Sequence, residues 1–258
     1  MKITLHNISF AYDHEAIIKD LSCSFVPGNF YSIIGPNGSG KTTLLDLISG
    51  FLAPCKGHVD IDQRRIPAWS KTEIARKIAL VSQDYAINFP FFVKEVVMMG
   101  RHPYIPRFSP PSKKDIKKAN KIMMQCGIQH LQNRKINELS GGEKQRCVFA
   151  RALCQDTPIL LLDEAFSSMD IHHTLQMLHL IKQAVKNKNK LVINVFHDLN
   201  LASSWSDVLL ILKQGRIKAF GRSGDVLTQP IIKEVFNVDS IIEYNEHVQA
   251  KQVYYPPV

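Results

Sequence analysis

The chain has 258 residues, 45% hydrophobic and 21% charged, enough to bury the core of one large domain or of a core with a small subdomain. Lysine and arginine number 32 against 23 acids, and the formal net charge of +9 fits nucleic-acid contact, an anionic membrane surface or acidic small molecules. That composition excludes a disordered tail, and no apolar run approaches the roughly 18–20 residues that span a bilayer. Residues 1–7 lack the apolar stretch and cleavage site of a secretory signal, so none is expected. The five cysteines, Cys23, Cys55, Cys126, Cys147 and Cys154, form no CxxC pair. Their odd number argues against a disulfide framework or zinc ribbon, and buried free thiols are expected.

In chain order, Ile3, Leu5, Ile8 and Phe10 alternate with polar residues, the pattern of a β edge. The apolar run 30–34 enters a glycine-rich turn, and Leu44, Leu45, Leu47 and Ile48 follow at helical spacing. Further buried-looking strands are expected at 78–81, 159–162, 191–195 and 208–212, interleaved with helical segments. This order predicts an α/β fold with a mainly parallel sheet. Residues 84–150 are helix-rich, polar and basic, with Pro103, Pro106, Pro110 and Pro111 in their midst, and are expected to form a helical insertion. An amphipathic segment is expected at 231–238, opened by Thr228 and Pro230.

Residues Gly35-Pro36-Asn37-Gly38-Ser39-Gly40-Lys41-Thr42 fit G-x-x-x-x-G-K-[ST]. Glycines let backbone N–H groups turn inward as a nest for phosphate oxygens, and the helix that follows presents its positive end to the same anion. Lys41 is positioned for the β- and γ-phosphates and the Thr42 hydroxyl for Mg²⁺. The strand 159–162 ends in Asp163 and Glu164, at the carboxyl edge where sheet ligands bind. Asp163 is the expected metal ligand, and Glu164 the expected general base for an attacking water. In Leu139-Ser140-Gly141-Gly142-Glu143-Lys144-Gln145-Arg146, Ser140 and Glu143 form a capping box. The two glycines between them cost a helix about 1 kcal/mol each and imply close approach to another group, with an anion at the helix N-terminus the natural candidate.

The phosphate loop, LSGGEKQR and LLLDE, in that order, resemble the nucleotide-binding subunit of ABC transporters over roughly residues 1–220. The resemblance implies a P-loop NTPase (RecA-like) core with an antiparallel β edge and an inserted α-helical subdomain. It divides the chain into a core of 1–83 and 151–220, a helical subdomain of 84–150 and a tail of 221–258. It implies ATP and Mg²⁺ as cofactors, with Thr43 joining the phosphate loop. Tyr12 resembles the residue that stacks on adenine, and Gln83 the Q-loop glutamine that contacts Mg²⁺ and couples to the membrane partner. Ser167-Ser168-Met169-Asp170 resembles the D-loop, and His197 the switch histidine for the γ-phosphate. Ala165, Phe166 and Met169 depart from the family pattern, in which proline, threonine and leucine are usual.

Family geometry further implies a head-to-tail homodimer in which Ser140, Gly141 and Gly142 of one copy complete the γ-phosphate site of the other. Integral-membrane permease subunits are implied as partners, docking at 83–104, with an extracytoplasmic substrate-binding protein acting indirectly. The location implied is peripheral, at the cytoplasmic face of the inner membrane, with no nucleic acid. The run from Val93 through Val96, Val97, Gly100, Arg101 and Pro103 resembles importers of ferric siderophores, haem and cobalamin. Ferric siderophore is the preferred substrate and haem the runner-up, because His172-His173 resembles some haem importers, although a solvated helix face is the simpler reading of that pair. A soluble ABC ATPase of iron–sulfur cluster assembly and a nucleic-acid-handling ATPase are the readings from other classes.

Overall fold

The structure is a computed structural model describing residues 1–82 and 89–256. Its strands are β1 (Ile3–Tyr12), β2 (Glu15–Phe25), β3 (Phe30–Ile34), β4 (Lys56–Ile61), β5 (Arg64–Arg65), β6 (Ile78–Val81), β7 (Ile159–Asp163), β8 (Leu191–Val195), β9 (Val208–Lys213), β10 (Arg216–Arg222), β11 (Ile241–Asn245) and β12 (Ala250–Tyr254). The helices are α1 (Lys41–Ser49), α2 (Lys71–Ala75), α3 (Val93–Met99), α4 (Lys113–Gln125), α5 (Gly141–Gln155), α6 (Ile171–Lys188), α7 (Leu199–Trp205), α8 (Ser223–Val226) and α9 (Gln229–Phe236).

The six-stranded sheet runs β10-β9-β3-β8-β7-β6, with β10 antiparallel and the others parallel. Every residue of β3, β7 and β8 is buried, as expected of parallel strands covered on both faces. Alternate residues feed two cores. Leu160, Leu162 and Val192 face a core shared with the helices after β6, while Leu161, Ile193 and Ile33 face one shared with α1 and the antiparallel sheet. Each such side chain contributes about 1.5–3 kcal/mol by burial. The strand expectations at 78–81, 159–162, 191–195 and 208–212 agree with β6 to β9.

The antiparallel sheet has the order β2-β1-β4-β5. β1 is therefore an inner strand paired on both sides, not an edge, and its alternation reflects one face on a core and one in solvent. The predicted tail segment is α9, capped at Thr228 with Pro230 in its first turn and closed by Asn237 in the left-handed region. The hairpin β11–β12 after it was not anticipated. It is held to α7 by Asn200, whose Oδ1 accepts from Val253 N at 2.7 Å and whose Nδ2 donates to Val253 O at 3.2 Å.

Between β6 and β7 the described residues are helical or irregular, and α5 continues past position 150 to Gln155. One face of the 93–104 run packs inward, while Lys94, Glu95 and His102 are exposed. Val93, Val96 and Val97 are buried, and Glu95 accepts from Phe92 N at 2.9 Å. Gly100 lies against α5, where a Cβ would meet Arg151 O at 2.2 Å. Arg101 donates to Cys154 O at 2.9 Å and pairs with Asp115 at 2.9 Å, tying α3, α4 and the end of α5 together. Cys126, Cys147 and Cys154 are buried free thiols, and burial pushes the first two up to about 12. Cys55 departs from that expectation because it is exposed, and Cys23 is only partly covered.

Candidate functional site

The loop from Gly35 to Gly40 leaves the buried end of β3 and enters α1 at Lys41. Gly40 has φ 97°, a conformation that L side chains rarely adopt, and a Cβ there would meet Ile18 Cδ1 at 2.8 Å. Glycine is therefore required by the backbone, and β2 packs closely against it. Ser39 Oγ is buried without a hydrogen-bond partner, a donor available to an anion in the loop. Lys41 Nζ donates to Gly35 O at 2.9 Å and Pro36 O at 3.0 Å. Burial lowers its pKa, and the carboxylates of Glu164 and Asp163 oppose that fall. Asn37, Gly38, Gly40, Lys41, Thr42 and Thr43 line one cavity of about 450 Å³ together with Glu164 and His197. Ile17 lines it too, contributed by β2, which periodicity had not revealed.

β7 delivers Asp163 and Glu164 to this cavity from its carboxyl end. Asp163 is 2% exposed, and its carboxylate accepts a hydrogen bond from the Thr42 side chain. Burial pushes its carboxyl up to about 6; Glu164 and Asp46 add to the rise, whereas Thr42 and Lys41 counter it. Asp163 Oδ1 is buried and unpartnered. An anionic oxygen with an open lone pair beside a threonine hydroxyl suits a hard cation, so Thr42 and Asp163 fit Mg²⁺. Glu164 adopts φ 48°, a left-handed conformation costing about 1–2 kcal/mol that turns its side chain out of the strand direction. Its Oε1 lies 2.5 Å from His197 Nε2, just beyond the end of β8.

The signature helix α5 opens with the predicted capping box. Ser140 N donates to Glu143 Oε2 at 2.8 Å, and Glu143 N to Ser140 Oγ at 3.4 Å. The group closest to Gly142 is protein: a Cβ there would meet Ser168 O at 2.9 Å. Gly141 has only ordinary contact, with Ser168 Cβ at 3.9 Å. The close approach expected of these glycines is thus met at Gly142 by Ser168, in the loop before α6. Ser140, Gly141 and Gly142 do not line the phosphate-loop cavity of their own chain.

Gln145, one turn further along, was missed as a site residue. It is 3% exposed, and its Nε2 donates to Glu164 O at 3.1 Å and Ser167 Oγ at 3.4 Å. Its Oε1 accepts from Ser168 N at 2.8 Å, so one amide holds the loop between β7 and α6 at both ends. Phe166, a departure from the family pattern, fills space between Phe149 of α5 and Phe196, with ring centroids 6.0 and 5.9 Å away. Ala165 is fully buried beside it. Asp170 caps α6, accepting from His173 N at 2.8 Å and lying 2.8 Å from His173 Nδ1. His172 is exposed, in keeping with a solvated helix face.

Tyr12 stands at the end of β1, 48% exposed and edge-on to Phe10 at 4.8 Å, and does not line the phosphate-loop cavity. Gln83 lies outside the described residues. The ABC transporter family model matches residues 18–167, which contain the phosphate loop, the signature and the β7 carboxylates. The chain belongs to the ABC transporter ATP-binding family. Its ABC relatives include the ferric enterobactin transport ATP-binding protein FepC of Escherichia coli K12, 34% identical over 91% of this chain and 87% of that protein. The hemin import ATP-binding protein HmuV of Escherichia coli O157:H7 is 36% identical, covering 92% and 93%. The chain spans about half the length, 55%, of the cobalamin import ATP-binding proteins BtuD of Halobacterium salinarum, at 36% identity. Among solved structures, a metal-chelate type ABC transporter in an inward-facing conformation superposes with a TM-score of 0.83 at 25% identity, covering 99% of this ABC chain and 97% of the other.

Proposed function

We propose that this chain is the ATP-hydrolysing subunit that powers an ABC importer for an iron chelate, with a ferric siderophore as the preferred cargo. The observation that carries the reading is the convergence of Lys41, Thr42, Glu164 and His197 on one cavity at the carboxyl edge of the parallel sheet. The loop from Gly35 to Gly40, with Thr43, binds the phosphates, and Lys41 neutralises the β- and γ-oxygens. Thr42 and Asp163 hold Mg²⁺, which when bound polarises those same oxygens. Glu164 takes a proton from water as its oxygen attacks the γ-phosphorus, and the bond to the β–γ bridging oxygen breaks to release ADP and phosphate. His197 orients the Glu164 carboxylate and faces the γ-phosphate, and Gln83 and Asp170 complete the site as the family resemblance implies. Tyr12 stacks on adenine.

The working unit is a head-to-tail homodimer, supported by the exposed cap of α5, whose Ser140 and Gly141 lie apart from their own chain's cavity. The core of 1–83 and 151–220 binds nucleotide, the helical subdomain of 84–150 contacts the permease and the tail of 221–258 completes the chain. Met98 lines a groove of about 630 Å³ between α3 and α4, with Phe91 and His102 on its wall, and this is the permease surface. Val93, in the same region, is fully buried and belongs to the core. The subunit works peripherally at the cytoplasmic face, with an extracytoplasmic binding protein upstream. The charge of +9 suits an anionic leaflet.

The likenesses to FepC and HmuV support an iron-containing cargo. Uptake of labelled ferric siderophore, haem and cobalamin in cells with and without the subunit tests the assignment. Loss of siderophore uptake alone is expected; loss of haem or cobalamin uptake alone would reassign the cargo. Co-purification with soluble partners only, or steeply salt-dependent nucleic-acid binding, would replace the importer reading.

A further inference from the structure

A second group of chemically capable side chains lies on the antiparallel sheet. In the β1–β4 register His6 pairs with His58, and Thr4 with Asp60. Leu5 and Val59, which alternate with them, are buried, so His6, His58 and Asp60 share the opposite face. The register shifts just beyond His6, at Gly57, whose φ is 75° and where a Cβ would meet His6 O at 2.1 Å. Only glycine admits that approach, which seats His58 directly on His6. The two imidazoles stack with centroids 4.5 Å apart and planes 18° from parallel.

Both rings aim Nε2 at one carboxylate oxygen: Asp60 Oδ2 is 3.2 Å from His6 Nε2 and 3.7 Å from His58 Nε2. The other oxygen, Oδ1, is buried without a partner. The three ligand atoms all lie within 4.8 Å of one another. Metal–ligand bonds of about 2.0–2.2 Å in a tetrahedral zinc site put neighbouring ligand atoms about 3.3–3.6 Å apart. The two separations from Asp60 Oδ2, 3.2 and 3.7 Å, already bracket that range. Two imidazoles and a carboxylate form a donor set for a borderline first-row divalent ion, with water completing the coordination sphere on the solvent side.

We propose that His6, His58 and Asp60 form a binding site for a zinc-class divalent metal ion, separate from the nucleotide cavity, that clamps β4 to β1. None of the three lines the phosphate-loop cavity. The interaction replaces a carboxylate oxygen shared by two rings with metal bonds to all three residues.

Titration of the purified full chain with Co²⁺ in the absence of nucleotide, followed by its visible d–d absorption, tests the site. One Co²⁺ per chain is expected, displaced by Zn²⁺. His58→Ala and Asp60→Asn should each weaken binding at least tenfold with unchanged far-ultraviolet circular dichroism. His6→Asn serves as the second histidine variant should His58→Ala reduce the yield of folded chain. Cys55→Ser, which removes the exposed thiol, should leave the titration unchanged. Absence of a Co²⁺ signal, a signal indifferent to the histidine and aspartate variants, or one lost with Cys55 would overturn the proposal.

Discussion

His197 Nε2 and Glu164 Oε1 meet at 2.5 Å across the carboxyl ends of neighbouring parallel strands, although 33 residues separate them in sequence. β7 and β8 are paired in register with Asp163 opposite Val195, so the two side chains are brought together by the sheet itself. The Glu164 carboxylate is thereby held at the cavity that contains Lys41 and Thr42. The role of base proposed for Glu164 needs that restraint more than strength, because reach to the attacking water determines whether proton transfer can occur.

Gln145→Ala should separate positioning from binding. The change removes three hydrogen bonds to the loop carrying Glu164 and leaves the Ser168 N–H without its present acceptor. Ser168 is exposed, so water can take its N–H, and the loss is of the loop's restraint, with each lost bond contributing about 0.5–1.5 kcal/mol. We expect kcat for ATP hydrolysis to fall roughly tenfold while the Kd for ATP changes less than about threefold, measured by steady-state kinetics and equilibrium binding. An equal loss in both would indicate general unfolding of the loop.

The signature glycines should respond differently to alanine. At Gly142 a Cβ 2.9 Å from a backbone carbonyl forces the D-loop to shift, with a cost of about 1–3 kcal/mol that exceeds the roughly 1 kcal/mol gained in helix propensity. At Gly141 the Cβ meets nothing closer than 3.9 Å. Thermal unfolding of the isolated chain should therefore show a lower Tm for Gly142→Ala and no drop for Gly141→Ala. Any loss of activity in the latter then reports contact with a second copy.

Asp156 gives the chain an acid-sensitive tie between α4, the end of α5, the end of α6 and Lys190 just before β8. Burial alone would raise its pKa, but a hydrogen bond from Lys118 and the charges of Lys190 and Lys118 outweigh that effect and hold it at about 2. A folded-state pKa below the unfolded value means that the stabilisation is complete above about pH 4 and disappears as pH falls through 2. Its size is about 1–2 kcal/mol after allowance for partial solvent screening. Asp156→Asn should lower stability by that amount at pH 7, and the difference from the parent should vanish near pH 2 in denaturant titrations.

Met98 and Val93 lie on the same short helix but should have different phenotypes. Met98→Glu places a charge in the groove proposed for the permease, so transport should drop several-fold while basal ATP hydrolysis persists. Val93→Ala opens a cavity in the core at a cost of about 1–3 kcal/mol and should reduce both activities through a smaller folded population. Paired uptake and ATPase assays distinguish the two outcomes.

The parallel core and the phosphate loop were legible because their signals are local: apolar runs of strand length, glycines at fixed spacing, and carboxylates at a strand end. β2, β4 and β5 were not, since half-exposed antiparallel strands carry weaker patterns and take their identity from partners. The role of Gln145 depends on α5 packing beside the loop after β7, and that of Asn200 on a hairpin some 50 residues later. The packing of Phe166 between Phe149 and Phe196 depends on residues distant in sequence, which the local motif does not encode. His6 and His58 meet only through a bulged register, which spacing along the chain does not encode.

Glu164→Gln provides the most direct test of the account. The substitution keeps shape and hydrogen-bonding capacity but removes the proton acceptor. ATP hydrolysis should fall at least a hundredfold, ATP should still bind, and gel filtration with ATP should show an accumulated dimer. Hydrolysis at the parental rate would contradict the assignment of Glu164 as the base and, with it, the chemistry proposed for the site.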